Sequence, residues 1–257
     1  MFRRTVNAFE SRIHEIDFFR GVLILLVIFD HLMWFVNYYI FKGQNAALNW
    51  YWVWPLRHVI RQIVLMMFLF ACGISCHLSR NNTKRGLILF GVVLLIPIVT
   101  HLLQLLPVFG DRVIAIDFNI LGVIALSILF YAIFEKSTNN QLMVLIIMLC
   151  LVYILILIYQ KTLPVYEYNP IKSVLYLNFN PVKERYVADY LPLFPYIIFL
   201  PLGVLFARIF YKDKTTHFKR RNFERPICFL GRHTLFIYIA HEVIFTLVFM
   251  LIGALIR

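Results

Sequence analysis

Four ionisable side chains fall within one short, otherwise apolar run: Asp17, Arg20, Asp30 and His31. Such groups are costly in hydrocarbon and normally face a cavity or a partner. Arg20 and His31 stand eleven positions apart. At about 100° per helical residue that is three turns plus roughly 20°, so both lie on one stripe, about 16 Å apart along the axis. Asp17, three residues before Arg20, shares nearly the same stripe and can pair with it. The helix therefore offers a cation at one membrane edge and an imidazole deep inside. That separation is comparable to the reach of a pantetheine arm: an acyl-CoA anchored near Arg20 could present its thioester to His31. A neutral imidazole can take a proton from an attacking amine or hydroxyl near neutral pH, or accept the acyl group itself. Asp30 points about 100° away around the helix and is not placed to orient His31 directly. The plainer alternative is that Arg20 snorkels to head groups and His31 bonds a neighbouring helix.

A second set could complete such a site. His241 has Tyr238 on its own face, three residues earlier, and Glu242 beside it. These residues could bind an acceptor, extend a proton relay, or make ordinary helix-packing hydrogen bonds. Asp189, with Tyr190 next to it, opens the sixth apolar segment and suits the ammonium of an amino sugar, or else caps a helix N-terminus. Arg80, Lys84, Arg85 and Arg232 could hold the phosphates of CoA; otherwise they fix topology and contact lipid. His101 reads as a packed polar residue. Gly21, Gly73 and Gly203 suit close helix approach. Cys72 and Cys76 share a helical face but have no partner pair, so no metal site is expected from the cysteines.

The elements carrying these residues are membrane helices. Of 257 residues 61% are apolar and 15% charged, with 25 Phe and a mean hydropathy of +0.79; a soluble domain carries about 25% charged residues. Seven segments approach the roughly 20 apolar residues a span requires: 18–41, 62–79, 86–106, 118–134, 142–159, 191–207 and 234–256. The fold class is thus all-α, a polytopic helical bundle of about seven spans in a single membrane domain. Lys and Arg set orientation. With the N-terminus cytoplasmic, Arg3, Arg4 and Arg12, then Arg80, Lys84 and Arg85, then the run from Arg208 to Arg225 all lie inside. The formal charge of +12 is accounted for by these flanks and anionic lipid, and no nucleic-acid partner is expected. The longest connection, 161–189, holds Pro164, Pro170 and Pro181 and reads as an outer loop or cap. Trp50, Trp52 and Trp54, with Tyr51, form an interfacial belt or a platform for sugar stacking. Residues 1–18 carry charges, so no cleavable signal peptide is expected.

Four ordered segments resemble the heparan-alpha-glucosaminide N-acetyltransferase catalytic-domain family. They are RIHEIDFFRGVLILLVIFDH (12–31), FLFACGISCHLSRNNTKRG (68–86), DYLPLFPYIIFLPLGVLFAR (189–208) and FLGRHTLFIYIAH (229–241). The Arg20–ten residues–His31 spacing also looks like the first helix of the membrane acyltransferase-3 families. Where the first family's motif reads Phe-Gly-Ile-Leu-His, this chain has Phe118, Asn119, Ile120, Leu121 and Gly122, and it has Thr234 where Ser is usual.

The resemblance implies an enzyme that takes an acetyl group from cytosolic acetyl-CoA and passes it to an amine or hydroxyl of a sugar or glycan across the bilayer. His31, Arg20, Asp17 and His241 would be catalytic; Arg20, Arg80, Lys84, Arg85 and Arg232 would bind the donor; Asp189, Tyr190, Tyr238 and Glu242 would bind the acceptor. The lipid bilayer, acyl-CoA and the acceptor are the expected partners, a homodimer is compatible with the sequence, and a bacterial inner membrane is the expected location. Two other readings stay open: a non-catalytic accessory protein of the same fold, which the Gly122 departure favours, and a small-solute transporter, for which no internal repeat is visible.

Overall fold

The computed structural model describes residues 13–41, 51, 53–107, 114–162, 174, 189–219 and 221–255. Among them lie eight α-helices: α1 His14–Phe35, α2 Pro55–Leu78, α3 Asn82–Gln104, α4 Ile120–Ile133, α5 Asn139–Thr162, α6 Phe199–Phe210, α7 Glu224–Arg232 and α8 Thr234–Leu255. A π turn, Val36–Ile40, prolongs α1, and a 3-10 turn, Tyr196–Ile198, leads into α6. The extended backbone that the described residues contain includes one isolated bridge, Ile116 to Asp189. Five helical stretches are long and apolar enough to cross a membrane, while Ile120–Ile133 and Tyr196–Phe210 are apolar but shorter. Every one of the seven predicted segments falls on one of these. Leu87, Leu102, Leu155 and Leu247 are among many large apolar side chains left exposed, more than a water-soluble monomer presents. The protein is an all-α, polytopic membrane protein.

Three local expectations change. α2 starts at Pro55 instead of 62, and so takes Arg57 into its first turn; proline suits that position because its missing N–H would have no helical partner anyway. The sixth helix starts late. Asp189 lies in bridged, extended backbone, and the Leu191 N–H donates to the Phe118 carbonyl at 2.7 Å. Asp189 therefore does not cap that helix, which opens at Tyr196 after a cis Phe194–Pro195 bond. Residues 224–232, which join the end of the basic run at Arg225 to the last apolar segment and fall in no predicted span, form α7, with Pro226 in the first turn where it breaks no helical bond. Trp50, Trp52 and most of 161–189 lie outside the described residues.

The described residues group into two compact units, Met1–Ala71 with Tyr211–Arg257, and Cys72–Phe210. In the first, α7 and α8 pack on α1. A Cβ at Gly231 would overlap the Asp17 carbonyl oxygen, and one at Gly21 would overlap the Ile227 carbonyl oxygen, so α1 and α7 meet backbone to backbone. The start of α1 is held further by Glu15, whose Oε1 accepts from the backbone N–H groups of His217 at 2.6 Å and Phe218 at 2.8 Å. Toward its other end, Asp30 accepts from Tyr51 Oη at 2.7 Å and from Arg57 through Nε at 2.8 Å and Nη2 at 3.0 Å. That two-pronged ion pair, with the guanidinium 5.1 Å over the Tyr51 ring, is the strong form of such contacts. Tyr51 is accordingly a buried partner of Asp30 and takes no part in a belt.

In the second unit, a Cβ at Gly73 would strike the Leu200 carbonyl oxygen, and Gly203 lies beside it. Arg208 closes the α4–α5 connection by donating to the Ser137 carbonyl at 2.7 Å and the Glu135 carbonyl at 3.2 Å. Fully buried Asn82 donates to the Cys76 carbonyl at 3.0 Å and to Glu135 Oε1 at 2.9 Å.

Gly231→Ala should lower unfolding stability in detergent by about 1–3 kcal/mol, the usual cost of overpacking. Gly91→Ala, at a helical glycine with nothing within 4 Å of a new Cβ, should leave the thermal midpoint unchanged or slightly raised; equal effects would refute the close approach. Burial and the hydrogen bond to Asp30 push the Tyr51 phenol up to about 12, above the ordinary value near 10. The folded state thus favours the protonated phenol. Its contribution to stability is complete below about pH 10 and is lost between about pH 10 and 12. Tyr51→Phe should flatten the alkaline stability profile across that window, and an unaltered profile would contradict the assignment.

Candidate active site

Three polar side chains from α1 and α8 converge within otherwise apolar helices. His31 Nδ1 lies 2.8 Å from His241 Nε2 and makes a close contact with Glu242 Oε1; His241 Nε2 is 3.3 Å from that same oxygen. The two imidazoles are nearly coplanar and meet edge to edge, with centroids 5.1 Å apart and planes 19° from parallel. Tyr238 sets its ring edgewise to both, at 6.3 Å from His31 and 5.5 Å from His241. On the opposite side Phe245 meets His241 edge-on at 5.6 Å and joins the cluster of Phe35, Tyr39 and Phe249. His241 is 6% exposed, whereas the His31 and Glu242 side chains are 27% and 30% exposed. The cluster is enclosed by aromatic rings yet open on one side.

Hydrogen bonding assigns the tautomers. His241 Nδ1 sits 3.0 Å from the Ile237 carbonyl oxygen one turn earlier. A carbonyl only accepts, so Nδ1 carries the hydrogen and Nε2 a lone pair. That lone pair faces His31 Nδ1, which must then be protonated and shares its hydrogen with His241 Nε2 and the Glu242 carboxylate. The neutral His31 ring therefore carries its lone pair on Nε2. A carboxylate behind one ring nitrogen and a basic lone pair on the other is the logic by which an oriented imidazole serves as a general base.

The remaining sequence candidates distribute differently. α1 is unbroken from His14 to Phe35, so the helical stripe joining half-buried Arg20 to His31 holds. Asp17 accepts from Arg232 Nε at 2.9 Å. In the second unit Arg80 and Lys84 are exposed, Arg85 is half-buried with Nη1 4.0 Å from Cys76 Sγ, and the Asn81 side chain caps α3 by accepting from the Lys84 N–H at 2.8 Å. Asp189 and Tyr190 are half-buried. His101 is not packed inside: its side chain is 49% exposed and lies 3.0 Å from Asp117 Oδ1. At Gly122 a Cβ would run into the Phe118 ring, so the position where the resemblance leads one to expect a histidine has an aromatic ring against it. Arg57 was not singled out from the sequence; a basic residue two positions after a helix-opening proline, 27 residues from Asp30, was the available signal.

Comparison with known proteins then bears on identity. The family model described as "Heparan-alpha-glucosaminide N-acetyltransferase, catalytic" matches residues 12–243. No curated protein and no solved structure matches the chain. The matched span contains His31, His241 and Glu242. It takes in nearly all of the chain, which therefore belongs to the heparan-alpha-glucosaminide N-acetyltransferase catalytic-domain family, a family of membrane acetyltransferases.

Proposed function

We propose that the protein transfers an acetyl or closely related acyl group from cytosolic acyl-CoA to an amine or hydroxyl of a sugar or glycan on the outer side of the membrane, with His31 as the general base. The observation that carries this reading is the tautomer pattern of the His31–His241–Glu242 cluster. The acceptor nitrogen or oxygen attacks the thioester carbonyl and loses its proton to His31 Nε2. Glu242, against Nδ1, stabilises the imidazolium, and His241 fixes the ring through its Nε2 lone pair. The carbon–sulfur bond then breaks, and the leaving thiolate takes the proton back. Acyl, proton and electron pair are conserved with no further reactant. Arg20 and Arg232, on the cytoplasmic side in the proposed orientation, suit donor phosphates, and Asp189 with Tyr190 suits a polar acceptor. The basic segments favour a cytoplasmic N-terminus, and a bacterial inner membrane is the proposed setting.

One feature favours a second reading. The Phe118 ring fills the space beside Gly122, where the resemblance leads one to expect a histidine, and the lack of that side chain suits a member that has lost transfer and kept the fold. A single experiment separates the two. Purified protein in proteoliposomes is supplied with acetyl-CoA inside and amino sugars outside, and free CoA is measured. His31→Ala should cut acceptor-dependent CoA release by at least about 100-fold, the scale of general-base catalysis. Glu242→Gln should give a smaller loss, and neither variant should lose its fold. Turnover that survives His31→Ala removes the catalytic assignment; no turnover with any acceptor favours the second reading.

A further inference from the structure

We infer that His31, His241 and Glu242 also form a binding site for one divalent transition-metal ion of the Zn2+ class, and that its occupancy holds acyl transfer off. The second half rests on the transfer reading; the first does not.

The donor set is two imidazole nitrogens and one carboxylate, a combination that zinc sites use with three protein ligands and one open position. Among the described residues, this is the group of ligating side chains whose donor atoms all come within 4.8 Å of one another. Ligands about 2.0–2.1 Å from a tetrahedral ion stand about 3.3–3.4 Å from each other. The His241–Glu242 pair, at 3.3 Å, already has that spacing, and the His31–His241 pair, at 2.8 Å, is close to it. The tighter His31–Glu242 pair opens by rotation of the Glu242 side chain, which is 30% exposed.

Two more features point to a cation. His241 Nδ1 donates to the Ile237 carbonyl, the outer contact that commonly aims the other ring nitrogen at a metal. Three acceptor-capable atoms also share one hydrogen, and the tautomers above leave none between His241 Nε2 and Glu242 Oε1. A divalent ion at their common point satisfies all three lone pairs, and the carboxylate offsets half its charge. Three ligands without thiolate, two of them imidazoles, disfavour Ca2+ and Mg2+, which seek oxygen. The ligands come from positions 210 residues apart, so no short sequence motif announces them.

Binding would have a defined chemical effect. The metal takes the Nδ1 lone pair of His31, and the hydrogen held there moves through solvent to Nε2, so the ring stays neutral. The coordinated ring then carries its hydrogen on Nε2, the atom required to accept the acceptor's proton. A metal-loaded ring has no base to offer.

The test uses the full chain, stripped with a chelator in detergent and titrated with Zn2+ by calorimetry, with Co2+ as a spectroscopic stand-in. One equivalent should bind, with a nitrogen and oxygen shell at about 2.0–2.1 Å by X-ray absorption. His31→Ala and Glu242→Gln should each weaken binding more than about tenfold, while His101→Ala should not change it. Glu242→Gln keeps side-chain shape, and its thermal midpoint, measured alongside, separates a lost ligand from a lost fold. Acetyl transfer should fall in proportion to occupancy and return with chelator. Absence of a one-equivalent site, or equal binding in wild type and both ligand variants, overturns the site. Full transfer by metal-loaded protein overturns the switch. If the chelated protein shows no transfer with any acceptor, the transfer reading fails while the titration still decides the site.

Discussion

The arrangement of α1 is governed by the cost of placing an ionisable group in hydrocarbon. Such groups lie along it, and Asp17, Asp30 and His31 each meet a partner from another part of the chain. Asp17 meets Arg232, Asp30 meets Arg57 and Tyr51, and His31 meets His241 and Glu242. Apolar side chains can slide past one another at small cost because lipid is as apolar as they are. These polar pairs cannot. They fix both the rotation of α1 and its height against α7 and α8, and the backbone contact at Gly21 and Gly231 makes that register tight.

A consequence is that the chemistry and the packing are not separable in this half of the protein. The same carboxylate that compensates an imidazole inside the membrane also sets its tautomer. The rings of Tyr238 and Phe245 that pack the imidazoles also keep them from water on two sides, where a fixed hydrogen-bond pattern has most effect. Asp30, adjacent to His31 in sequence but turned away from it, contributes by anchoring the helix to α2, and so holds the next residue at a set angle.

Much of this was legible from residue types. The seven apolar segments all became helices because length and composition dominate in lipid, and the Arg20–His31 stripe needed only an unbroken helix. His241, Glu242 and Tyr238 stood out as polar groups in an apolar run, and α1 does meet them. What failed were short-range boundaries. Asp189 looked like a helix cap because the apolar pattern begins at Leu191, but Pro192 and Pro195 delay the helix to Tyr196. α7 escaped notice because its apolar run, Ile227 to Leu230, is too short to mark a span; its helix is defined by docking on α1 through Gly231. Arg57 was hidden since hydropathy alone starts the second span later than the backbone does. His101 was misread because a lone histidine in an apolar helix suggests interior packing, and its partner Asp117 lies in an irregular segment beyond the helix.

The order in which these partners occur along the chain has a bearing on assembly. Asp30 can find Arg57 as soon as the second helix is made, only 27 residues later. Asp17 must wait for Arg232 and His31 for His241, separations of 215 and 210 residues. During synthesis α1 is therefore a span with two unmatched polar sites, which must be sheltered by water, lipid head groups or insertion machinery until the last helix arrives. The last two helices, α7 and α8, then act as a clasp, and a chain truncated before them would leave α1 held through Asp30 but not through Asp17 or His31.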